Sequence, residues 1–77
     1  MTVSVKMPDL GEGISKATVA SWLVKVGDRV NEGDDLVELV TDKASFNVPA
    51  AVTGIVRQIL VQEGEEITIG GDLAVIE

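Results

Sequence analysis

Apolar and polar residues alternate with a period of two through most of this chain, which predicts short strands rather than helices. Val3, Val5 and Met7 alternate with Ser4 and Lys6, so a first strand is expected, ended by Pro8, which cannot donate to a ladder. Lys16 to Val26 is rich in β-branched residues and has poor helical periodicity, and a second strand is expected there. Strict alternation would place Ala17, Val19 and Ser21 on one face, with Thr18, Ala20 and Trp22 on the other. Gly27-Asp28 and Glu32-Gly33-Asp34 read as turns around a short strand at Val30. Gly54 to Val61 reads as a later strand, with Ile55, Ile59 and Val61 as its apolar set, interrupted by Arg57.

The pattern is clearest around Leu39 to Val48. Leu39 and Thr41 point one way and Val40 the other. Beyond Asp42-Lys43, Ala44, Phe46 and Val48 share a face, while Ser45 and Asn47 take the opposite one. Two strands joined by a tight turn follow from this, with the Asp42 carboxylate bonding nearby backbone N–H groups. Lys43 would then stand at the tip of a hairpin with its amine in water.

The two halves of the chain resemble each other at a constant offset of 37 residues. Gly27, Val30, Gly33 and Leu36 match Gly64, Ile67, Gly70 and Leu73. The match extends back through Val19 with Val56 and Trp22 with Ile59, and forward to Leu39 with Ile76. Two copies are too few for a solenoid. Interlocking halves with approximate two-fold symmetry fit better, joined by the Lys43 hairpin at one end with the termini near the other. The fold expected is all-β: a flattened barrel or sandwich of two roughly four-stranded sheets.

Composition narrows the chemistry. A chain of 77 residues holds one domain, placed here at 1–77 and expected to be cut from a longer multidomain protein. With neither Cys nor His, disulfides, a thiol nucleophile, an imidazole base and the common zinc sites are excluded. No apolar run approaches the ~20 residues of a membrane-spanning helix, and no basic-then-apolar secretory leader is seen. Six basic against thirteen acidic residues give a net charge of −7, which argues against nucleic acid or an anionic membrane as partner. The Gly11-Glu12-Gly13 stretch is followed by neither Lys-Ser/Thr nor a helix, so it is not read as a phosphate loop. No carboxylate pair or serine has a partner suited to acid–base work, so no catalytic residue and no metal ligand is assigned.

Three stretches carry a resemblance: Asp42-Lys43-Ala44 between two strands, Met7 to Ile14, and Trp22 to Val30. Together they resemble the lipoyl domain of 2-oxo acid dehydrogenase complexes, above all the N-terminal domain of the dihydrolipoyl acyltransferase (E2) component. The likeness covers essentially the whole chain; Val40 and Asn47 depart from it, standing where acidic residues are common. It implies lipoate in amide linkage to Lys43, with Thr41, Asp42, Ala44 and Ser45 as recognition and turn residues. It also implies Leu10, Glu12 and Ile14 as docking residues.

The partners implied are a lipoate ligase or lipoyl transferase, a thiamin diphosphate-dependent E1, the E2 acyltransferase domain and the dihydrolipoyl dehydrogenase E3. The domain would be a non-catalytic, monomeric carrier in the cytoplasm of a bacterium or in the mitochondrial matrix. Two rival readings stand beside this one. A biotinyl carrier domain shares the fold, but such domains usually flank the lysine with methionines, where this chain has Asp42 and Ala44. An interaction module with an unmodified Lys43 is the other.

Overall fold

The computed structural model describes residues 2–8 and 13–77, and every regular element among them is a strand. In chain order these are β1 (Val3–Lys6), β2 (Lys16–Trp22), β3 (Arg29–Val30), β4 (Asp35–Val40), β5 (Ser45–Pro49), β6 (Gly54–Ile59), β7 (Glu66–Thr68) and β8 (Asp72–Ile76). They form two antiparallel four-stranded sheets, ordered β1-β8-β6-β3 and β5-β4-β2-β7. This is the two-sheet, all-β architecture that the alternation predicts.

The 37-residue repeat appears as pairing. β2 pairs with β4 as β6 pairs with β8, and the short strands β3 and β7 each cross to the sheet built around the other half's long strands. Neither half completes a sheet alone. Backbone hydrogen bonds obey the same exchange. The N–H of Gly27 donates to Val56 O (2.7 Å), and the N–H of Gly64 donates to Val19 O (2.8 Å). Leu23 N–H reaches Leu36 O as Leu60 N–H reaches Leu73 O, both at 2.9 Å. Leu39 faces Phe46 across β4–β5, while its counterpart Ile76 faces Val3 across β1–β8. The hairpin apex and the paired chain ends therefore occupy equivalent places in the two halves.

Period-two reasoning fails at four points, and all four are β-bulges. In β2, Val19 faces Leu39 and Ser21 faces the next residue, Glu38, so Ala20 is the extra residue. Trp22 then faces Val37 and lies half-buried against the core, on the face of Val19 rather than opposite it as strict alternation requires. The strand also ends there, short of Val26. In β6 the extra residue is Arg57, so the buried residue is Val56, not Ile55, and Ile59 returns to the core. Leu36 in β4 and Leu73 in β8 are extra residues in turn, which is why Leu36-Val37 and Leu73-Ala74 are buried as consecutive pairs. Each bulge in one half has its twin at the 37-residue offset. The Trp22 indole Nε1 donates to Val61 O at 2.8 Å, so its one polar atom is satisfied at the core edge.

The core is aliphatic: Leu36, Val37 and Leu39 from β4 meet Leu73, Ala74 and Ile76 from β8, with Val19, Val30 and Val56 around them. No polar or charged side chain is buried among the described residues. Each fully buried aliphatic side chain contributes about 1.5–3 kcal/mol. With no disulfide, this layer is the main term opposing chain entropy. Two equivalent turns close the halves at Gly33 (φ 93°) and Gly70 (φ 82°), a region that other residues avoid.

Two expectations follow for stability in urea. Leu36→Ala and Leu73→Ala should each cost about 3 kcal/mol, and near-equally, because the sites are equivalent and fully buried. Gly33→Ala and Gly70→Ala should each cost about 1 kcal/mol. An added Cβ meets nothing within 4 Å at either glycine, so the whole loss is conformational.

Candidate functional site

Residues Thr41 to Ala44 close the β4–β5 hairpin beyond the last ladder pair, Val40 with Ser45. Thr41 N–H donates to Ala44 O at 2.8 Å. The Thr41 hydroxyl accepts from the N–H groups of Lys43 and Ala44, both at 3.1 Å, and donates to Ala44 O at 3.1 Å. One side chain thus satisfies two backbone donors of a turn that has neither Gly nor Asn to shape it. The sequence reading gave that role to the Asp42 carboxylate. Asp42 is instead exposed and makes no hydrogen bond among the described residues, because the threonine hydroxyl, one residue earlier, already holds those N–H groups.

Lys43 is exposed at the apex and forms no ion pair among the described residues. Ala44 and Ser45 are exposed beside it, while Thr41 is half-buried. The apex is anchored where β4 descends into the core: Val40 is half-buried and Leu39 fully buried. A short, well-packed lever therefore carries the amine. Phe46 and Val48 follow on the inner side, progressively more enclosed. Asn47 lies outside and donates from Nδ2 to Asp35 Oδ2 at 3.1 Å. Of the three docking candidates, Ile14 is half-buried, and Leu10 and Glu12 lie outside the described residues.

Beside the apex lies a cleft of about 260 Å³, bordered by Thr41, Asp42 and Val40 on one side and by Thr18, Lys16 and Glu66 on the other. The Lys16 ammonium and Glu66 carboxylate stand 3.5 Å apart there, both exposed. Sequence reasoning missed these two neighbours of the turn. They are 50 positions apart and meet only because β7 crosses to pair with β2 (Thr18 with Glu66), which the 37-residue offset alone does not reveal. A larger groove of about 550 Å³ runs past Trp22, Val24 and Ile59 to Glu63 and contains none of the sequence's candidate residues. No group of acidic residues able to hold a metal ion occurs among the described residues.

The arrangement offers a solvent-facing amine at the end of a two-strand hairpin, with no nucleophile–base pair beside it among the described residues. That suits covalent attachment by another enzyme rather than catalysis in place. Comparison with known proteins shows the family. Residues 3–76 match the model of the biotin/lipoyl family, described as "Biotin-requiring enzyme".

The chain is 38% identical over 76 residues, 99% of its length, to the dihydrolipoyllysine-residue acetyltransferase component of the pyruvate dehydrogenase complex of Corynebacterium glutamicum. It is 42% identical over 73 residues, 95% of its length, to the lipoamide acyltransferase component of the branched-chain alpha-keto acid dehydrogenase complex of Pseudomonas aeruginosa. The chain spans 11% of the first relative and 17% of the second.

Among solved structures, the lipoyl domain of the 2-oxoglutarate dehydrogenase complex from Azotobacter vinelandii superposes with a TM-score of 0.77 at 31% identity, covering 97% of this chain and 95% of that one. The Kluyveromyces lactis urea carboxylase shares the fold, with a TM-score of 0.85 at 23% identity over 100% of this chain and 6% of that one. The chain belongs to the biotin/lipoyl family, as a lipoyl domain of the type found in the acyltransferase components of 2-oxo acid dehydrogenase complexes.

Proposed function

We propose that Lys43 carries lipoate in amide linkage, and that the domain is the mobile carrier of a 2-oxo acid dehydrogenase complex. The observation that carries this reading is the exposed Lys43 amine at a closed, threonine-braced apex, in a chain 31% identical to a lipoyl domain over nearly its full length. The residues present fit such a group. Attachment needs an amine that is accessible and not engaged by a carboxylate, on a turn that a modifying enzyme can surround. Asp42 and Ala44, short and exposed, leave that access open.

When bound, the dithiolane supplies a site that takes up an acyl group together with reducing equivalents and gives both up elsewhere. The chain's own part is mechanical and steric. Lys43 provides the nitrogen of the amide and a flexible stem. The β4–β5 hairpin keeps the root of that stem fixed while its end sweeps. An amine does not displace hydroxide from a free carboxylic acid, so a lipoate ligase or lipoyl transferase must bring an activated acyl group and accept the proton released.

The partners of the loaded domain are then a thiamin diphosphate-dependent E1, the acyltransferase core and the dihydrolipoyl dehydrogenase E3. Tethering raises the local concentration of the carried group to roughly the millimolar range at each site within reach. The parent chain is accordingly read as a dihydrolipoyl acyltransferase, working in a bacterial cytoplasm or a mitochondrial matrix. The domain is a carrier, and the chemistry belongs to its partners.

Intact mass measured after incubation with lipoate, ATP and a lipoate ligase should show a single lipoyl addition, absent in Lys43→Ala. A parallel arm with biotin and a biotin ligase should show none. Modification neutralises one of six basic residues and takes the formal charge from −7 to −8, so the product should bind an anion exchanger more tightly. Addition of biotin alone would select the biotinyl reading, and no addition in either arm would select the unmodified interaction module.

A further inference from the structure

We infer that Thr41 is a positioning residue for the modification of Lys43, acting through its hydroxyl. The inference rests on the reading of Lys43 as the attachment site. A two-residue hairpin ordinarily closes with two backbone bonds between the residues flanking the turn, one in each direction. Here only one of these is present: Thr41 N–H donates to Ala44 O at 2.8 Å. The return bond, from Ala44 N–H to the Thr41 carbonyl, is replaced by a bond to Thr41 Oγ1 at 3.1 Å. The same oxygen takes the N–H of Lys43 at 3.1 Å and donates its own proton to Ala44 O at 3.1 Å.

The peptide groups on both sides of the Lys43 Cα are therefore oriented by one side-chain atom. No other side chain among the described residues hydrogen-bonds to the apex backbone. Asp42, Lys43 and Ala44 are all exposed, so packing does not hold the turn. Removing the hydroxyl frees the apex to sample other turn conformations and scatters the direction in which Lys43 leaves the backbone.

An enzyme that must bring an activated acyl carbon to the lysine nitrogen gains from a fixed approach and loses when the apex must be ordered on docking. The hydroxyl takes no part in the acyl transfer itself. It sets where the nitrogen starts. Thr41 is half-buried and its β-branched shape suits a strand end, so valine keeps the volume and removes only the hydrogen bonds. Serine keeps the hydroxyl and removes only the methyl.

The test compares wild type, Thr41→Val and Thr41→Ser in the lipoate ligase reaction, alongside thermal unfolding and amide hydrogen exchange. Thr41→Val should lower kcat/KM about tenfold, the scale set by losing one or two ordinary hydrogen bonds, carried mainly in KM. Its melting temperature should stay close to wild type, while the Lys43 and Ala44 amides exchange faster. Thr41→Ser should restore both rate and protection. Wild-type ligase kinetics in Thr41→Val, with the two amides deprotected, would overturn the positioning role and leave Lys43 as the attachment site. If wild type itself takes up no lipoate, the attachment reading falls and this inference falls with it.

Discussion

Everything in this domain depends on one layer of aliphatic side chains pressed between β4 and β8. These strands lie in different sheets, yet their inner residues, Leu36, Val37 and Leu39 against Leu73, Ala74 and Ile76, are all fully buried. The layer is continuous only because each half lends a short strand to the other. β3 and β7 lock the halves so that neither can separate without stripping a ladder. For a chain of this size without a disulfide or a metal site among its described residues, that interlock is what makes a small core sufficient.

The same layer supports the carrier role. Leading out of β4, the chain is fully buried at Leu39, half-buried at Val40 and Thr41, and open to solvent from Asp42 to Ser45. Rigidity therefore decreases over a few residues, from core to apex. The last side-chain hydrogen bonds to the backbone are those of the Thr41 hydroxyl, and beyond it the Lys43 side chain is exposed. A carrier needs this gradient: a loose root would waste the benefit of tethering, and a packed lysine could not be reached. The cleft edged by Lys16 and Glu66 lies against the root of the turn and is bordered by side chains from β2 and from both its sheet partners, β4 and β7.

Much of this was legible in the sequence. The alternation located the strands, and the offset between Gly27 and Gly64 foretold the exchange symmetry that the hydrogen bonds display. The placement of Lys43 at a bend followed from two period-two runs meeting at Asp42-Lys43. What alternation could not reveal was its own interruption. Alternation sets Trp22 opposite Val19 and picks Ile55 in place of Val56, because a bulge residue leaves no compositional mark: Ala20 and Arg57 are ordinary strand residues in type. Residue type points to Asp42 as a turn residue whose carboxylate can bond nearby N–H groups, whereas the Thr41 hydroxyl holds them. Which of two adjacent oxygens reaches the N–H groups depends on backbone direction, not on residue type. Lys16 and Glu66 went unnoticed since only tertiary pairing unites them.

The matched bulges have a consequence for how this chain tolerates changes in length. A strand's pleat behaves like a reading frame with two phases, and an unpaired residue shifts the frame by one. Deleting Ala20 would close the bulge and leave Val19, Ser21 and Trp22 in plain alternation, with Trp22 still opposite Val37 and facing the core. Deleting Arg57 would leave Val56, Gln58 and Ile59 in the same alternation. Each bulge is thus the place in its strand where one residue can be lost while the faces of its neighbours are kept.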